Sequence, residues 1–115
     1  MNNIDAKNFV KIVWKIEEEG FNQQPDSFHI FYYKRNHGSI FNGKVTADSI
    51  TIVPSSIQSK TTIIIKRSFS KLKKDGNITF SSKEYEISFD EFFYLYVQKN
   101  MTFSEVLERK EKETK

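Results

Sequence analysis

Few side chains in this sequence have the type and spacing to do chemistry. His29 and His37 are its two histidines, and there is no cysteine. No His-x-x-x-His or Glu-x-x-His spacing places two ligands one helical turn apart, so no metal site is predicted. His29 lies in an aromatic run and His37 precedes a glycine. At such places a solvated or hydrogen-bonded ring is the ordinary role. Without cysteine there is no thiol nucleophile, thiolate metal site or disulfide. Ser68 follows a β-branched run and precedes an apolar-periodic one, where a nucleophilic serine can sit. No Gly-x-Ser-x-Gly frame surrounds it, and a helix N-cap is the expected role. Gly38 and Gly43 read as hairpin glycines rather than a phosphate-cradling loop.

Pro25-Asp26 and the distant Glu108-Arg109-Lys110 match a loose Pro-Asp…Glu-x-Lys nuclease spelling. The second half falls on a charged tail that cannot hold carboxylates in ligand geometry. No catalytic residue, metal or cofactor is predicted, and the chain reads as non-catalytic. A small nuclease or hydrolase is the remote alternative.

The constellation that leans toward a function is cationic. Residues 60–76 hold Ile63-Ile64-Ile65, the densest apolar run, and directly after it the densest positive charge. Net charge is +3 overall, but residues 60–83 carry seven basic and one acidic side chain. Residues 1–59 carry six of each, and residues 84–115 five basic and eight acidic. Such regional polarity speaks to partners rather than to fold. Lys66, Arg67, Lys71, Lys73 and Lys74, with Lys60 and Lys83 at the margins, are the predicted ligands of a nucleic-acid backbone. Tyr33, or its neighbours Phe31 and Tyr32, would stack on unpaired bases if one sheet face stays open. The alternative partner is a protein. A short, Lys-, Asn-, Ile- and Phe-rich chain of this composition suits an AT-rich mobile element or phage, whose small products often inhibit a host nucleic-acid-processing or defence enzyme. For that role the acidic candidates are Glu17-Glu18-Glu19 and residues 84–91. The first is the one cluster and stands at a helix C-terminus, the unfavourable end for it, so a basic inhibitor would sit on an acidic surface or compete beside bound nucleic acid. The start lacks a basic signal-peptide n-region and no run reaches the roughly 20 apolar residues of a membrane span. A cytoplasmic location is therefore expected, with no membrane partner.

These side chains need a scaffold. Asp5 can cap an amphipathic helix in which Phe9, Val13 and Ile16 share a face with Val10 and Trp14 beside them, ended by Gly20. Residues 22–27 read as a loop. Residues 28–34 read as a strand with apolar side chains on both faces, covered on each side. A turn at 36–38, a short strand at 39–41 and Asn42-Gly43 as a hairpin follow. Strands at 44–46 and 50–53 flank a turn at Ala47-Asp48-Ser49. Residues 61–66 are rich in β-branched side chains and predict a strand, then a short helix from Ser68 to Gly76; a single helix over 59–75 is the rival parse. Residues 78–80 and 84–87 read as arms of a hairpin through Ser81-Ser82-Lys83.

Two helix starts are then sharply marked. Ser88 with Glu91, and Thr102 with Glu105, form capping-box pairs, and Ile87 with Phe92 and Met101 with Val106 supply the staples. The first helix ends at Asn100, and the charged tail from about residue 108 is expected to fray. The prediction is one α+β domain over residues 1–115: an N-terminal amphipathic helix, a mainly antiparallel sheet of five or six strands and two C-terminal helices. Trp14, Phe28, Ile30, Ile52, Ile64, Phe89, Phe92, Phe93 and Leu107 are the expected core.

Overall fold

The computed structural model describes residues 3–25, 29–36, 44–57 and 60–114. Phe28, His37 and the strand and hairpin expected over residues 39–43 lie outside them. The described chain is α+β. Helix α1 (Asn3–Glu18) precedes five strands, β1 (Asn22–Gln24), β2 (Ile30–Asn36), β3 (Lys44–Val53), β4 (Thr62–Leu72) and β5 (Ile78–Ser88). These form one antiparallel meander in sequence order. Helix α2 (Phe89–Phe92) runs into a π-helical stretch (Phe93–Gln98), and α3 (Phe103–Glu113) closes the domain. Among the described residues no helix is long and apolar enough to cross a membrane.

One face of the sheet carries the core. Side chains alternate along a strand, and Tyr32, Ile50, Ile52, Ile63, Ile65 and Ile87 all point to the side where the helices lie. There they meet Ile12 and Ile16 of α1, Phe92 and Tyr96 of the second helical segment, and Phe103, Val106 and Leu107 of α3. Full burial of each isoleucine contributes about 1.5–3 kcal/mol. Ile64 falls between two core positions, faces the other way and is half-buried, contrary to its predicted core role. Trp14 is likewise misplaced by the sequence reading, being 68% exposed. The apolar stripe of α1 centres on Ile12 and Ile16, with Phe9 and Val13 packed against the cluster. Two residues of helix rotate the chain by roughly 200°, which turns Trp14 away from both isoleucines. Ile30 packs at the core margin, while Ile52, Phe89, Phe92, Phe93 and Leu107 are buried as expected.

Four local expectations from the sequence are overturned. β1 replaces the loop expected at 22–24, its Asn22, Gln23 and Gln24 pairing with Tyr33, Tyr32 and Phe31. β3 runs unbroken through Ala47-Asp48-Ser49 because Asp48 continues the period of Ile50 and Ile52 and finds a cationic partner across the sheet. β4 continues to Leu72 where a helix was expected from Ser68, and β5 passes straight through Ser81-Ser82-Lys83. The chain reverses instead at residues 73–77. Lys73 N–H donates to Asn77 O (2.7 Å), Gly76 N–H to Lys73 O (3.0 Å), and Gly76 adopts φ +90°. This is a three-residue hairpin loop with glycine in the left-handed position.

The helix ends follow the sequence closely. Gly20 (φ +97°) donates to Glu17 O and the buried Phe21 to Ile16 O, a Schellman closure of α1. Ser88 Oγ accepts the Glu91 N–H, and both halves of the Thr102–Glu105 box are present. Lys15 in the last turn of α1 and Glu19 just past its end fasten the C-terminal helices. Lys15 Nζ donates to the carbonyls of Tyr96 and Met101 and to Asn100 Oδ1 (3.0 Å), where Asn100 ends the π-helical stretch at φ +55°. The Glu19 carboxylate accepts the Tyr96 hydroxyl and the Phe103 N–H (3.2 Å), placing a negative charge at the start of α3. Burial raises the Tyr96 pKa, and its bond to Glu19 raises it further. α3 itself remains helical to Glu113 across the stretch expected to fray.

Candidate functional site

The predicted partner-binding residues fall into four places rather than one. Lys60 stands exposed before the start of β4. Eleven residues of extended chain, at 3.3 Å each, separate it from Lys71 by about 36 Å, so the two cannot share a small site.

Arg67 and Lys83 are cross-strand partners on the helix side, and each is committed to an acid. Arg67 Nε and Nη2 donate to Asp48 Oδ1 (2.7 Å) and Oδ2 (3.0 Å), and Nη2 also reaches Ser104 Oγ (2.8 Å) on α3. Asn36 Nδ2 gives Asp48 Oδ2 a further bond (3.0 Å), and the guanidinium lies 5.8 Å from the Phe103 ring centroid. The hydrogen bond to Asp48 raises the Arg67 pKa above its ordinary value, against the opposing effect of burial. Lys83 Nζ pairs with Glu111 Oε1 on α3 at 2.8 Å. Arg67 therefore joins strand to strand and sheet to helix. Lys83 is half-buried but keeps its stem beside Phe69, with Nζ 5.9 Å from that ring centroid.

Tyr33 and Lys66 stand on the opposite, open face. Each strand contributes alternate side chains to it: Phe31 and Tyr33 from β2, Ala47, Ser49 and Thr51 from β3, Ile64, Lys66 and Ser68 from β4. Phe31, Tyr33, Lys66 and Glu84 are among the side chains bordering a depression of about 270 Å³ there. No helix of the described residues covers this face. Among the described residues, the covering layer expected over both faces of residues 28–34 is found on one side alone.

Lys71, Lys73 and Lys74 gather at the far end, where β4 and β5 outrun the helical layer. Every residue from 71 to 82 is exposed. On the helix side of this tongue, Phe69, Lys71, Thr79, Ser81 and Lys83 surround a concavity of about 410 Å³. Two ammonium groups and two hydroxyls there flank an aromatic ring. On the open side Leu72, Ile78 and Phe80 form an exposed apolar group, Phe80 at 77% exposure. Asp75 is the acid of the tip, and its carboxylate accepts the Asn77 N–H (2.9 Å) and Nδ2 (3.1 Å) within the turn. Among the described residues Lys66, Lys71, Lys73 and Lys74 have no ion-pair partner within 4 Å. Among those residues, too, no three acidic or histidine side chains gather to hold a metal ion.

Sequence reasoning passed over Phe69, Phe80, Thr79 and Ser81. Their signal was present: Asp75-Gly76 is a strong hairpin dipeptide, and taking Gly76 as a helix stop hid it. No family model matches the chain, and no curated protein or solved structure matches it either.

Proposed function

We propose that the protein is a non-catalytic nucleic-acid-binding domain whose working part is the basic tongue formed by the ends of β4 and β5. The observation that carries this reading is the surface around Phe69. Lys71, without an ion pair among the described residues, stands beside an aromatic ring with the Thr79 and Ser81 hydroxyls. Lys83 on the ring's other side is tied to Glu111, and Lys73 and Lys74 follow at the tip. Cations that neutralise phosphates and a ring that stacks on bases are the two components of single-strand recognition. A narrow β-ribbon is also an element the DNA major groove admits. Lys66 and Tyr33 extend the surface over the open face, whereas Arg67, held by Asp48, supports the sheet, and Lys60 lies too far away to contribute.

A second reading, contact with a host protein as a phage- or mobile-element-type inhibitor, is favoured by Leu72, Ile78 and Phe80. A phosphate backbone makes no use of those apolar side chains.

Fluorescence anisotropy with random single- and double-stranded DNA and RNA, titrated with salt, separates the two. Phosphate neutralisation gives a linear fall of log affinity with log salt. Lys71→Glu/Lys73→Glu should reduce the slope by about two and leave the thermal midpoint nearly unchanged. Absence of binding at low salt removes the nucleic-acid reading in favour of a protein partner.

A further inference from the structure

We propose that two copies of this chain associate edge to edge through β5, joining two five-stranded sheets into one continuous sheet about a two-fold axis near Phe80. The sheet has two edges. β1 is a polar three-residue strand. β5 is eleven residues long, with no strand on its outer side among the described residues. The direction of its backbone groups follows from the hydrogen bonds at the two ends of the β4–β5 ladder. Lys73 N–H donates to Asn77 O, and Phe89 N–H to Thr61 O. Odd-numbered β5 residues therefore bond to β4. Ile78, Phe80, Ser82, Glu84, Glu86 and Ser88 turn their N–H and C=O outward, a template for another strand. The side chains of those same residues lie on the open face.

The charge order along this edge selects the occupant. The turn end is net positive, with Lys73 and Lys74 against Asp75. The middle is apolar, with Leu72, Ile78 and Phe80. The far end is negative, with Glu84 and Glu86, for which the described residues supply no ion pair. An edge ordered positive, apolar, negative is self-complementary when reversed, which a two-fold axis perpendicular to the sheet achieves. With the axis at Phe80, that ring meets the Phe80 ring of the second copy, and Ile78 stands opposite Ser82. Even-numbered residues then face even-numbered ones, so the outward backbone groups pair. The second copy's chain leaves this line at its 73–77 turn, so Glu84 and Glu86 run on alongside that turn, which carries Lys73 and Lys74. Moving the axis to Ser82 would set Phe80 against Glu84 and Ile78 against Glu86, burying carboxylates against apolar side chains. Parallel addition would set like charges side by side. The helical layers and the Phe69 concavities of both copies lie on the other side of the joined sheet from the Phe80 contact.

Sedimentation velocity over a wide concentration range at low salt, with no nucleic acid present, tests this directly. The mass should rise from 13.6 kDa toward twice that value. Phe80→Glu should stay monomeric throughout; the side chain is exposed, so its circular dichroism and thermal midpoint should match the wild type. Glu86→Lys and Lys74→Glu should each weaken association roughly tenfold, because the axis repeats every pair, and the double variant should regain most of the loss. A mass fixed at 13.6 kDa, a Phe80→Glu chain that still dimerises, or charge reversals that do not rescue one another would overturn the proposal. None of these measurements depends on nucleic-acid binding, so either reading can fail without the other.

Discussion

Substitution of Asp48 measures whether Arg67 is a structural residue or a binding one. The Asp48 side chain is 4% exposed and that of Arg67 22%. Asp48→Ala removes two charge-assisted bonds to the guanidinium and one from Asn36, leaving Arg67 with Ser104 and the face of Phe103. Removing one member of a buried pair costs about 3–5 kcal/mol because the surviving charge stays desolvated. The partial exposure of Arg67 places this case near the lower end, at about 3 kcal/mol. At about 4 °C per kcal/mol for a chain of this size, the thermal midpoint should fall by about 12 °C. Arg67→Met should cost a similar amount, since it strands the Asp48 carboxylate with Asn36. The double variant Asp48→Ala/Arg67→Met should lose much less than the sum, with a coupling of about 2 kcal/mol. Chemical denaturation of the four proteins closes the cycle, and salt-titrated binding of Arg67→Met completes the test. The reasoning fails if Arg67→Met unfolds within about 2 °C of the wild type while its salt slope drops by about one. That pattern would make Arg67 a phosphate ligand.

Two further outcomes follow from the helices. Ile16→Ala, which empties a fully buried site on α1, should cost about 3 kcal/mol in urea denaturation, whereas Trp14→Ala on the outer face should stay within about 0.5 kcal/mol. A large Trp14 effect would relocate the core. The Thr102 backbone N–H, aided by the Thr102 side chain, holds the Glu105 carboxyl below the usual carboxylate range. A carboxyl with a lowered folded-state pKa contributes stability above its unfolded pKa and loses it as pH falls through the folded value. Glu105→Gln should therefore flatten the acid limb of a circular-dichroism titration, and an unchanged limb would show that the box is not linked to protonation.

Much of the architecture was legible because its signals are local. A left-handed residue needs glycine, so Gly20 marked the end of α1. An orphan helical N–H needs an oxygen one turn back, so Ser88 and the Thr102–Glu105 pair marked two starts. Strand lengths were not legible. Ala47-Asp48-Ser49 and Ser81-Ser82-Lys83 have turn composition, yet both lie inside strands. Ser82 points to an uncovered face where a small polar residue costs little, and Asp48 is neutralised by a residue nineteen positions away. The hairpin at Asp75-Gly76 was local and readable, but the lysines before it also fit the last turn of a helix.

The sequence by itself determined the α+β class, the helix ends and the concentration of positive charge in residues 60–83. Each rests on nearest neighbours or on composition. Which of those cations remain available was decided by the tertiary structure alone. Alternation along β4 sends Lys66 and Arg67 to opposite faces, and the meander brings Asp48 to Arg67 and α3 brings Glu111 to Lys83. Charge can be counted along a chain, but whether a charge is paired depends on what folding carries across the sheet to meet it.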